Sequence, residues 1–391
     1  MIKKCDICGS NTNEKYNIFF KDDIWFGRDY KQGISHCSNC GFIFVNNPLS
    51  DEELSIKYKK LSRYEYNKQT QAIIEDNKFY KQRCKEQKSF IFDAVDDVDS
   101  MLEIGSTNGY NLNLYKNIFK GGVYGIEPSQ SNSQSAKQNY NIDTFCGMFD
   151  EYIKKYPNKH YDLVFMAHVL EHIVNPHTFM QQCSKINSKY FFIEVPTIDY
   201  KFIDEPLGLF IDEHVNHFTF ESLQYLMNKN GYMAIKAEIP FYINIMNPQL
   251  PVIRTLWKKS DEIKQLKPIF SSEELLERYM KITQKKLGEI STKISQIDKN
   301  AKVALWAIGY TASRILGNTN LSKLNILRVY DSDPLKAGLE FAGKKISPFD
   351  PKDIENGIVD TIILTTRLYS IGILKALEPY KNKVRVINLF D

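Results

Sequence analysis

The chain has 391 residues, which at about 150 residues per domain predicts two to three folding units. Its residues are 43% hydrophobic and 13% aromatic, enough apolar mass for full cores, which excludes a disordered or fibrous protein. The 51 Lys and Arg residues barely exceed the 47 Asp and Glu residues, and the net charge of +4 is too small for a surface that binds phosphate backbones. We therefore expect no nucleic-acid partner.

Apolar runs and cysteine usage indicate where the protein works. The longest apolar runs, such as residues 303–308, are far shorter than the roughly 20 residues needed to cross a bilayer, so we expect no membrane partner. The first ten residues, MIKKCDICGS, lack the apolar stretch of a secretory signal. Four of the seven cysteines form two CxxC pairs, which in a reducing compartment are typical of metal ligation. These features predict a cytoplasmic protein.

The order of predicted elements divides the chain into five segments. Residues 1–50 contain both CxxC pairs and too little apolar mass for an independent core, and residues 51–97 have the periodicity of a helical connector. Residues 98–240 alternate buried strands with helices, which predicts an α/β fold with a doubly wound parallel sheet. Residues 241–300 are interpreted as a helical linker with one long amphipathic helix, and residues 301–391 as a second α/β unit.

The two CxxC pairs predict a structural zinc site. Cys5 and Cys8, like Cys37 and Cys40, are each followed by a glycine that permits a tight turn. Four thiolates satisfy a tetrahedral zinc ion and leave no open position for a substrate. The 28-residue gap between the pairs exceeds the usual 15 to about 20, but it leaves room for a hairpin. We therefore expect zinc to support folding rather than chemistry.

A glycine loop after the first strand of the central unit predicts a nucleoside site. Gly105 and Gly109 follow the strand MLEI, but the dinucleotide fingerprint GxGxxG is not met. Glu127 ends the next strand, eighteen residues after Gly109, close to the spacing of an acid that binds two ribose hydroxyls. Together these features favour S-adenosylmethionine as the cofactor.

Residues after the third and fourth strands complete this expected cofactor site. Met148 and Phe149 are placed to enclose an adenine ring, whereas Ala167 and His168 lie beside the path of the methionine tail. Glu171 and His172 follow in a predicted helix, and we interpret them as structural. The expected cofactor contacts are Glu103, Gly105, Ser106, Gly109, Glu127, Met148, Phe149, Ala167 and His168.

Motifs along nearly the whole chain resemble those of the sugar C-methyltransferase family. The matching stretches are the two CxxC pairs, LEIGSTNGYNL, GIEPS, FIEVP, DEHVNHFTFESLQYL and VYDSDPLKAGLEFAGKKISP. The resemblance implies a zinc-binding module, a class I S-adenosylmethionine-dependent methyltransferase domain and a C-terminal Rossmann-like substrate-binding domain. It further implies a nucleotide-linked keto-sugar as the acceptor, with the new methyl group placed on carbon.

The motif DEHVNHF provides the candidate base. A carbon beside a ketone becomes nucleophilic when it loses a proton, which a neighbouring Glu/His pair can take near neutral pH. The family's acting residues match Glu213 and His214, so we expect His214 to be the base and Glu213 to orient or charge it. The chain departs from the family at Ile211 and His217, where tyrosines are usual, and it lacks a glycine-rich segment after the next strand.

Two other interpretations stay open. In one, the methyl group goes to oxygen or nitrogen, with His214 or His217 deprotonating a hydroxyl group, and the missing tyrosine and glycine-rich segment favour this. In the other, the chain is a zinc-stabilised binding protein without activity. Near the C-terminus, WAIGYTAS joins a strand to a helix whose free amides suit an anion, and Asp331 ends the following strand. The resemblance implies that this unit holds the nucleotide of the acceptor.

Overall fold

A computed structural model describes residues 3–24, 27–50, 53, 78–199, 207–211, 213–240, 251–263, 271–367 and 369–391. Most of the predicted connector over residues 51–97 and the start of the predicted linker at residues 241–250 lie outside these ranges. The described strands are β1 (Lys3–Lys4), β2 (Asn11–Asp23), β3 (Arg28–His36), β4 (Ile43–Val45), β5 (Ser100–Ile104), β6 (Gly122–Glu127), β7 (Thr144–Cys146), β8 (Leu163–Ala167), β9 (Tyr190–Pro196), β10 (Asn216–His217), β11 (Tyr232–Glu238), β12 (Val252–Lys259), β13 (Val303–Trp306), β14 (Ile326–Tyr330), β15 (Glu340–Phe341), β16 (Lys344–Ser347), β17 (Thr361–Leu364) and β18 (Arg385–Asn388).

The described helices connect and cover these strands. They are α1 (Lys78–Phe92), α2 (Tyr110–Asn113), α3 (Gln130–Tyr140), α4 (Phe149–Lys155), α5 (Pro176–Ser184), α6 (Phe220–Lys229), α7 (Ser271–Ser295), α8 (Tyr310–Asn318), α9 (Lys352–Glu355) and α10 (Ser370–Leu377), with short 3-10 helices at Leu170–His172, Leu321–Lys323, Pro334–Lys336 and Glu378–Tyr380. None of the helices in the described part of the chain combines the length and apolarity needed to cross a bilayer.

Seven of the described strands form the central sheet, in the order β11-β12-β9-β8-β5-β6-β7. Strands β5 to β9 are mutually parallel, and their near-continuous burial is typical of a sheet covered by helices on both faces. Strand β12 runs antiparallel to β9 and to β11. Because β12 begins at Val252, the central sheet continues past residue 240, and the prediction of a helical linker over residues 241–300 is wrong for this strand.

A second sheet contains the N-terminal cysteines, and a third lies near the C-terminus. Strands β1 to β4 form antiparallel pairs, and β4 also pairs with β10, which comes from the DEHVNHF motif. The third sheet has the order β15-β16-β14-β13-β17-β18, in which only β15 runs antiparallel to its neighbour. The described residues therefore form two α/β units joined to an antiparallel sheet.

The N-terminal sheet packs against both α/β units. Helix α8 lies across β2, where the side chain of Ser313 donates a hydrogen bond to the carbonyl oxygen of Lys21 at 2.6 Å. Gly317 of the same helix comes so close to β2 that an added methyl group would lie 3.1 Å from the carbonyl oxygen of Phe19. The small side chain therefore permits the close approach of helix and strand.

Replacing Gly317 with Ala tests this contact. An Ala in a helix normally stabilises a protein by up to about 1 kcal/mol relative to Gly. At Gly317 we expect the opposite sign, with unfolding made easier by about 1 to 3 kcal/mol, because the methyl group would press against backbone of β2. Gly372 of α10 has open space around its missing side chain, so Gly372→Ala is the matched control. Chemical denaturation would measure both variants, and equal effects would contradict this account.

Candidate functional site

Four loops meet at the carboxyl end of the central sheet. The amides of Gly105 and Ser106 donate to the carbonyl oxygen of Ile126 at 2.9 and 3.1 Å, so the glycine loop folds over the end of β6. Gly147, after β7, donates from its amide to the carbonyl oxygen of Glu127 at 3.2 Å. A methyl group on Gly105 would lie 3.0 Å from Val169, after β8. The expected cofactor residues therefore come from segments that the fold brings together.

The glycine loop has a backbone that side chains tolerate poorly. Gly105 and Gly109 both have φ of 77°, in the left-handed region that favours glycine. A methyl group on Gly109 would also lie 2.7 Å from the Cβ atom of Ala136. Beside this loop, Oγ of Ser106 and Oε2 of Glu103 are buried and have no hydrogen-bond partner among the described residues. Buried polar atoms of this kind fit a polar ligand such as S-adenosylmethionine.

Glu127 lies at the end of β6 with its carboxylate fixed by backbone amides. Oε2 accepts from the amide of Thr107 at 2.9 Å, and Oε1 accepts from the amide of Ser129 at the same distance. Asn132 adds a longer bond of 3.4 Å. Burial raises the pKa of Glu127, and these hydrogen bonds act in the opposite direction. The carboxylate is thus oriented in advance and has acceptor capacity left for further hydroxyl groups.

The two residues expected to enclose an adenine ring, Met148 and Phe149, differ in their exposure. Phe149 is buried, and the centre of its ring lies 5.0 Å from that of Phe179 in the core. Met148 is 55% exposed. Phe149 therefore packs in the core between α4 and α5, and its contact with an adenine ring stays a prediction. Met148 stays a candidate contact.

Ala167 ends strand β8, and His168 follows it next to a buried carboxylate. His168 has φ of 56°, and its amide donates to the carbonyl oxygen of Glu194 at 2.8 Å. Nδ1 of His168 lies 2.9 Å from Oε1 of Glu171, which is completely buried. Burial alone would raise the pKa of Glu171, but the hydrogen bond from His168 and the charges of His168 and His172 outweigh it and lower this pKa. Glu171 is therefore ionised near neutral pH.

Glu194 lies in the stretch FIEVP, and sequence analysis did not identify a role for it. It is fully buried in β9, and its carboxylate accepts hydrogen bonds from Nε of Arg83 and Nε of Arg254, both at 2.6 Å. Burial would raise its pKa, but these two guanidinium groups hold the pKa below its usual value. A charged residue inside an otherwise apolar strand is the sequence signal for such a buried pair.

Glu213 and His214 lie beside the loop that follows β8. One oxygen or nitrogen atom each of Glu171, His172 and His214 lies within 4.8 Å of the others, and the rings of His172 and His214 are 5.0 Å apart in an edge-on arrangement. We call these three residues the base cluster. Sequence analysis interpreted Glu171 and His172 as structural and placed them in a helix, whereas the structure puts them in a single 3-10 turn beside His214.

Burial keeps His214 neutral. It lowers the pKa of His214 well below its usual range, with further lowering by His172 and His217, while the charge of Glu213 acts in the opposite direction. Nδ1 of His214 is buried without a hydrogen-bond partner among the described residues. His214 is thus in the state that accepts a proton, and the carboxylates of Glu171 and Glu213 are placed to stabilise the resulting charge.

His217 and Glu213 each contact a different part of the fold. His217 is buried in β10, and its ring centre lies 4.0 Å from that of Phe210, outside the base cluster. Burial lowers the pKa of His217 to about 3. Glu213 is completely buried, and Oε1 of its carboxylate accepts a hydrogen bond from the hydroxyl group of Tyr310 in α8. Sequence analysis did not identify Tyr310 as part of this site.

The four cysteine thiols lie together in the N-terminal sheet. The sulfur atoms of Cys5 and Cys40 are 3.6 Å apart, and those of Cys8 and Cys37 are 3.4 Å apart. Sulfur atoms bound to one zinc ion at about 2.3 Å would lie roughly 3.8 Å from each other, so the four thiols fit such an ion with a small expansion. Each pair sits on a tight turn, in which the amide of the following glycine donates a hydrogen bond of 2.8 Å to the carbonyl oxygen of the first cysteine.

Glu103 gives the site a testable dependence on pH. Burial raises the pKa of Glu103 to about 8, and the nearby charge of Glu127 adds to this, while a hydrogen bond from Asn111 opposes it. The unfolded chain loses this proton near pH 4.3, so between that pH and about 8 the folded state binds more protons and its stability falls as pH rises.

Comparing the protein with Glu103→Gln would isolate this effect. We expect the free energy of unfolding of the original chain, relative to the variant, to fall by a few kcal/mol at most between about pH 5 and pH 8. Denaturant titrations across this range would measure it, with Glu355→Gln, at an exposed position, as the control. A constant difference between the two proteins would contradict the raised pKa.

Comparison with known proteins finds similarity in the central part of the chain. Residues 77–237 match a family model described as a methyltransferase domain. A search of curated proteins finds no significant match. Among solved structures, the chain is similar to 1,6-didemethyltoxoflavin-N1-methyltransferase from Burkholderia thailandensis, with 11% identity and a TM-score of 0.40, over 58% of this chain and 99% of that one.

Two further solved structures are similar at a comparable level. The plantazolicin methyltransferase BpumL has 15% identity and a TM-score of 0.39, over 53% of this chain and 97% of its own. A SAM-dependent methyltransferase from Archaeoglobus fulgidus has 16% identity and a TM-score of 0.36, over 46% of this chain and 93% of its own. Through the family match, residues 77–237 form a methyltransferase domain, and the protein is an S-adenosylmethionine-dependent methyltransferase.

Proposed function

We propose that the protein transfers the methyl group of S-adenosylmethionine to a carbon atom of a nucleotide-linked keto-sugar. The observation that carries this proposal is the base cluster, because a neutral His214 and an ionised Glu171 lie beside the loop of His168, where the methionine part of the cofactor is expected. A carbon acceptor needs such a base, since its proton must leave before the new bond forms.

The chain's own residues would act as follows. Glu127 and the glycine loop would bind the adenosine part, and Glu103, Ser106 and His168 would surround the rest of the cofactor. When bound, S-adenosylmethionine supplies an electrophilic methyl group. His214 would take the proton from the carbon beside the ketone, and the electron pair left on that carbon would form the new carbon–carbon bond. Glu171 and Glu213 would stabilise the protonated imidazole.

Holding the acceptor and the donor in line accounts for the remainder of the rate enhancement. Fixing two reactants in a near-attack geometry can supply roughly 7 to 11 kcal/mol of the barrier. The rigid amide contacts of Glu127 and the buried ion pairs of Glu194 are suited to this, because they leave the loops little freedom. The resemblance to sugar C-methyltransferases implies that the C-terminal unit would hold the nucleotide of the acceptor.

His214→Asn is the decisive variant for this proposal. General-base catalysis contributes about 10²- to 10⁴-fold, so we expect turnover to fall at least 100-fold, whereas the affinity for S-adenosylmethionine stays unchanged. Transfer of labelled methyl groups to a panel of nucleotide-linked keto-sugars would measure turnover, and calorimetry would measure donor binding. His160→Asn, at an exposed histidine of the same domain, is the control, and Glu127→Ala should instead weaken donor binding.

Isotope exchange in the acceptor distinguishes carbon from oxygen or nitrogen transfer. With the enzyme in deuterated water, the carbon beside the ketone should gain deuterium before methylation, and His214→Asn should prevent this. An acceptor that is methylated but never exchanges would favour a hydroxyl or amine as the methylated group. Unchanged turnover of His214→Asn would remove this histidine from the mechanism.

We also propose that the four cysteines hold one structural zinc ion. Metal analysis of the purified chain should find about one zinc per molecule, and Cys37→Ser should lose it and unfold at a lower temperature, because the tetrahedral set is incomplete. Cys146→Ser, at an exposed cysteine outside the cluster, should keep both the zinc and the melting temperature. A chain that retains its melting temperature after zinc removal would contradict a structural role.

A further inference from the structure

We propose that Tyr310 is a positioning residue for the carboxylate of Glu213, so that the C-terminal α/β unit completes the catalytic site of the methyltransferase domain. This inference rests on the proposed function, because it assumes that Glu213 acts together with His214. It assigns to the C-terminal unit a part in proton transfer as well as in holding the acceptor.

Glu213 connects Tyr310 with the base cluster through both its side chain and its backbone. The hydroxyl group of Tyr310 donates to Oε1 of Glu213. The carbonyl oxygen of the same residue lies 3.1 Å from Nδ1 of His172, and because a carbonyl oxygen only accepts, Nδ1 is the protonated nitrogen. Nε2 of the same ring lies 3.9 Å from the carboxylate of Glu171. Movement of Glu213 would disturb the cluster directly.

Helix α8 holds the segment before the motif at a second point. Tyr310 and Arg314 are four residues apart and therefore lie on the same face of the helix. Nη1 of Arg314, which is almost completely buried, donates to the carbonyl oxygen of Leu207 at 2.6 Å. One face of α8 thus contacts the chain at Leu207 and again at Glu213. Two contacts one helical turn apart fix both the distance and the orientation of α8 relative to the segment that contains Glu213.

The position of the phenol is itself fixed by the rest of the fold. Beyond the bond between Ser313 and β2, Asn318 at the end of α8 donates to the carbonyl oxygen of Phe19 at 2.7 Å. At the start of the helix, the amide of Ile308 donates to the carboxylate of Asp331 at 2.7 Å. Tyr310 follows Ile308 by two residues, so the donor is anchored at both ends of its helix.

The physical effect of this contact is to fix a charge beside His214. Burial disfavours a protonated His214, whereas the charge of Glu213 favours it. A hydroxyl donor that locks one carboxylate oxygen keeps the charge at a constant distance from the imidazole. Without the donor, the carboxylate would be free to rotate, and the protonated base would be stabilised less in the transition state.

A first experiment tests the contact in the full chain without any acceptor. Tyrosine labelled with ¹³C at the ring carbon that bears the hydroxyl gives one NMR signal per residue, and Tyr310→Phe identifies the signal of Tyr310. We expect Glu213→Gln to shift this signal, because the charged acceptor becomes neutral. Glu273→Gln, which changes an acid that pairs with Lys15 elsewhere, should leave it in place. An unshifted signal in Glu213→Gln would overturn the inference.

A second experiment tests the effect on catalysis. Loss of one charge-assisted hydrogen bond that acts through Glu213 should lower kcat of Tyr310→Phe about tenfold, with KM for S-adenosylmethionine unchanged. Tyr369→Phe, at an exposed tyrosine of the same unit, should keep full activity. A lower melting temperature with an unchanged kcat would mean that Tyr310 only stabilises the interface, and would overturn the inference.

The two experiments separate this inference from the proposed function. If the NMR signal shifts but no keto-sugar is methylated, the contact stands and the proposed acceptor is wrong. If keto-sugars are methylated and Tyr310→Phe has normal kcat, the proposed function stands and the positioning role is wrong.

Discussion

The pairing of strand β4 with strand β10 is the contact on which the arrangement of the site depends. Asn216 pairs with Phe44 and His217 with Ile43, and the amide of Val45 donates to the carbonyl oxygen of Val215 at 2.8 Å. The residues next to His214 thereby become part of the N-terminal sheet. Since a shift of one residue in such a pair would turn every side chain to the other face, this register decides which way His217 and its neighbours point.

This pairing connects the cysteines to the base cluster. Strand β4 begins three residues after Cys40, and Phe42 between them packs against Phe218, with ring centres 5.4 Å apart. The amide of Val215 in turn donates to the carbonyl oxygen of Glu171 at 2.8 Å. A metal ion bound by the four cysteines would stabilise strand β4, which pairs with β10 next to His214. Its role would be structural. A structural ion and a catalytic histidine would then be coupled through backbone hydrogen bonds.

The sequence predicts the central sheet well and the site only in part. Strands β5 to β9 were recognisable because each is a short run of buried residues followed by turn or helix signals. Strand β12 was missed, since Arg254 breaks its apolar pattern, and the acid that neutralises this charge, Glu194, lies 60 residues away. Tyr310 was missed for the same reason: it is 97 residues from Glu213, and no local pattern records a pairing over that distance. Local periodicity thus predicts elements, whereas the contacts between units depend on the fold.

The two α/β units share one hydrogen-bonding arrangement at the ends of their strands. In each, an acid at the end of the second strand accepts the amide of the first loop: Thr107 donates to Glu127, and Ile308 donates to Asp331. Asp331 also receives Nζ of Lys336 at 2.9 Å, whereas Glu127 has no cationic partner among the described residues. Because Lys336 already neutralises its charge, Asp331 acts mainly to hold the loop that leads to Tyr310. The charge of Glu127 has no such partner in the described part of the chain and is the one suited to a ligand. On the proposals made here, the same backbone geometry would support binding in one unit and positioning in the other.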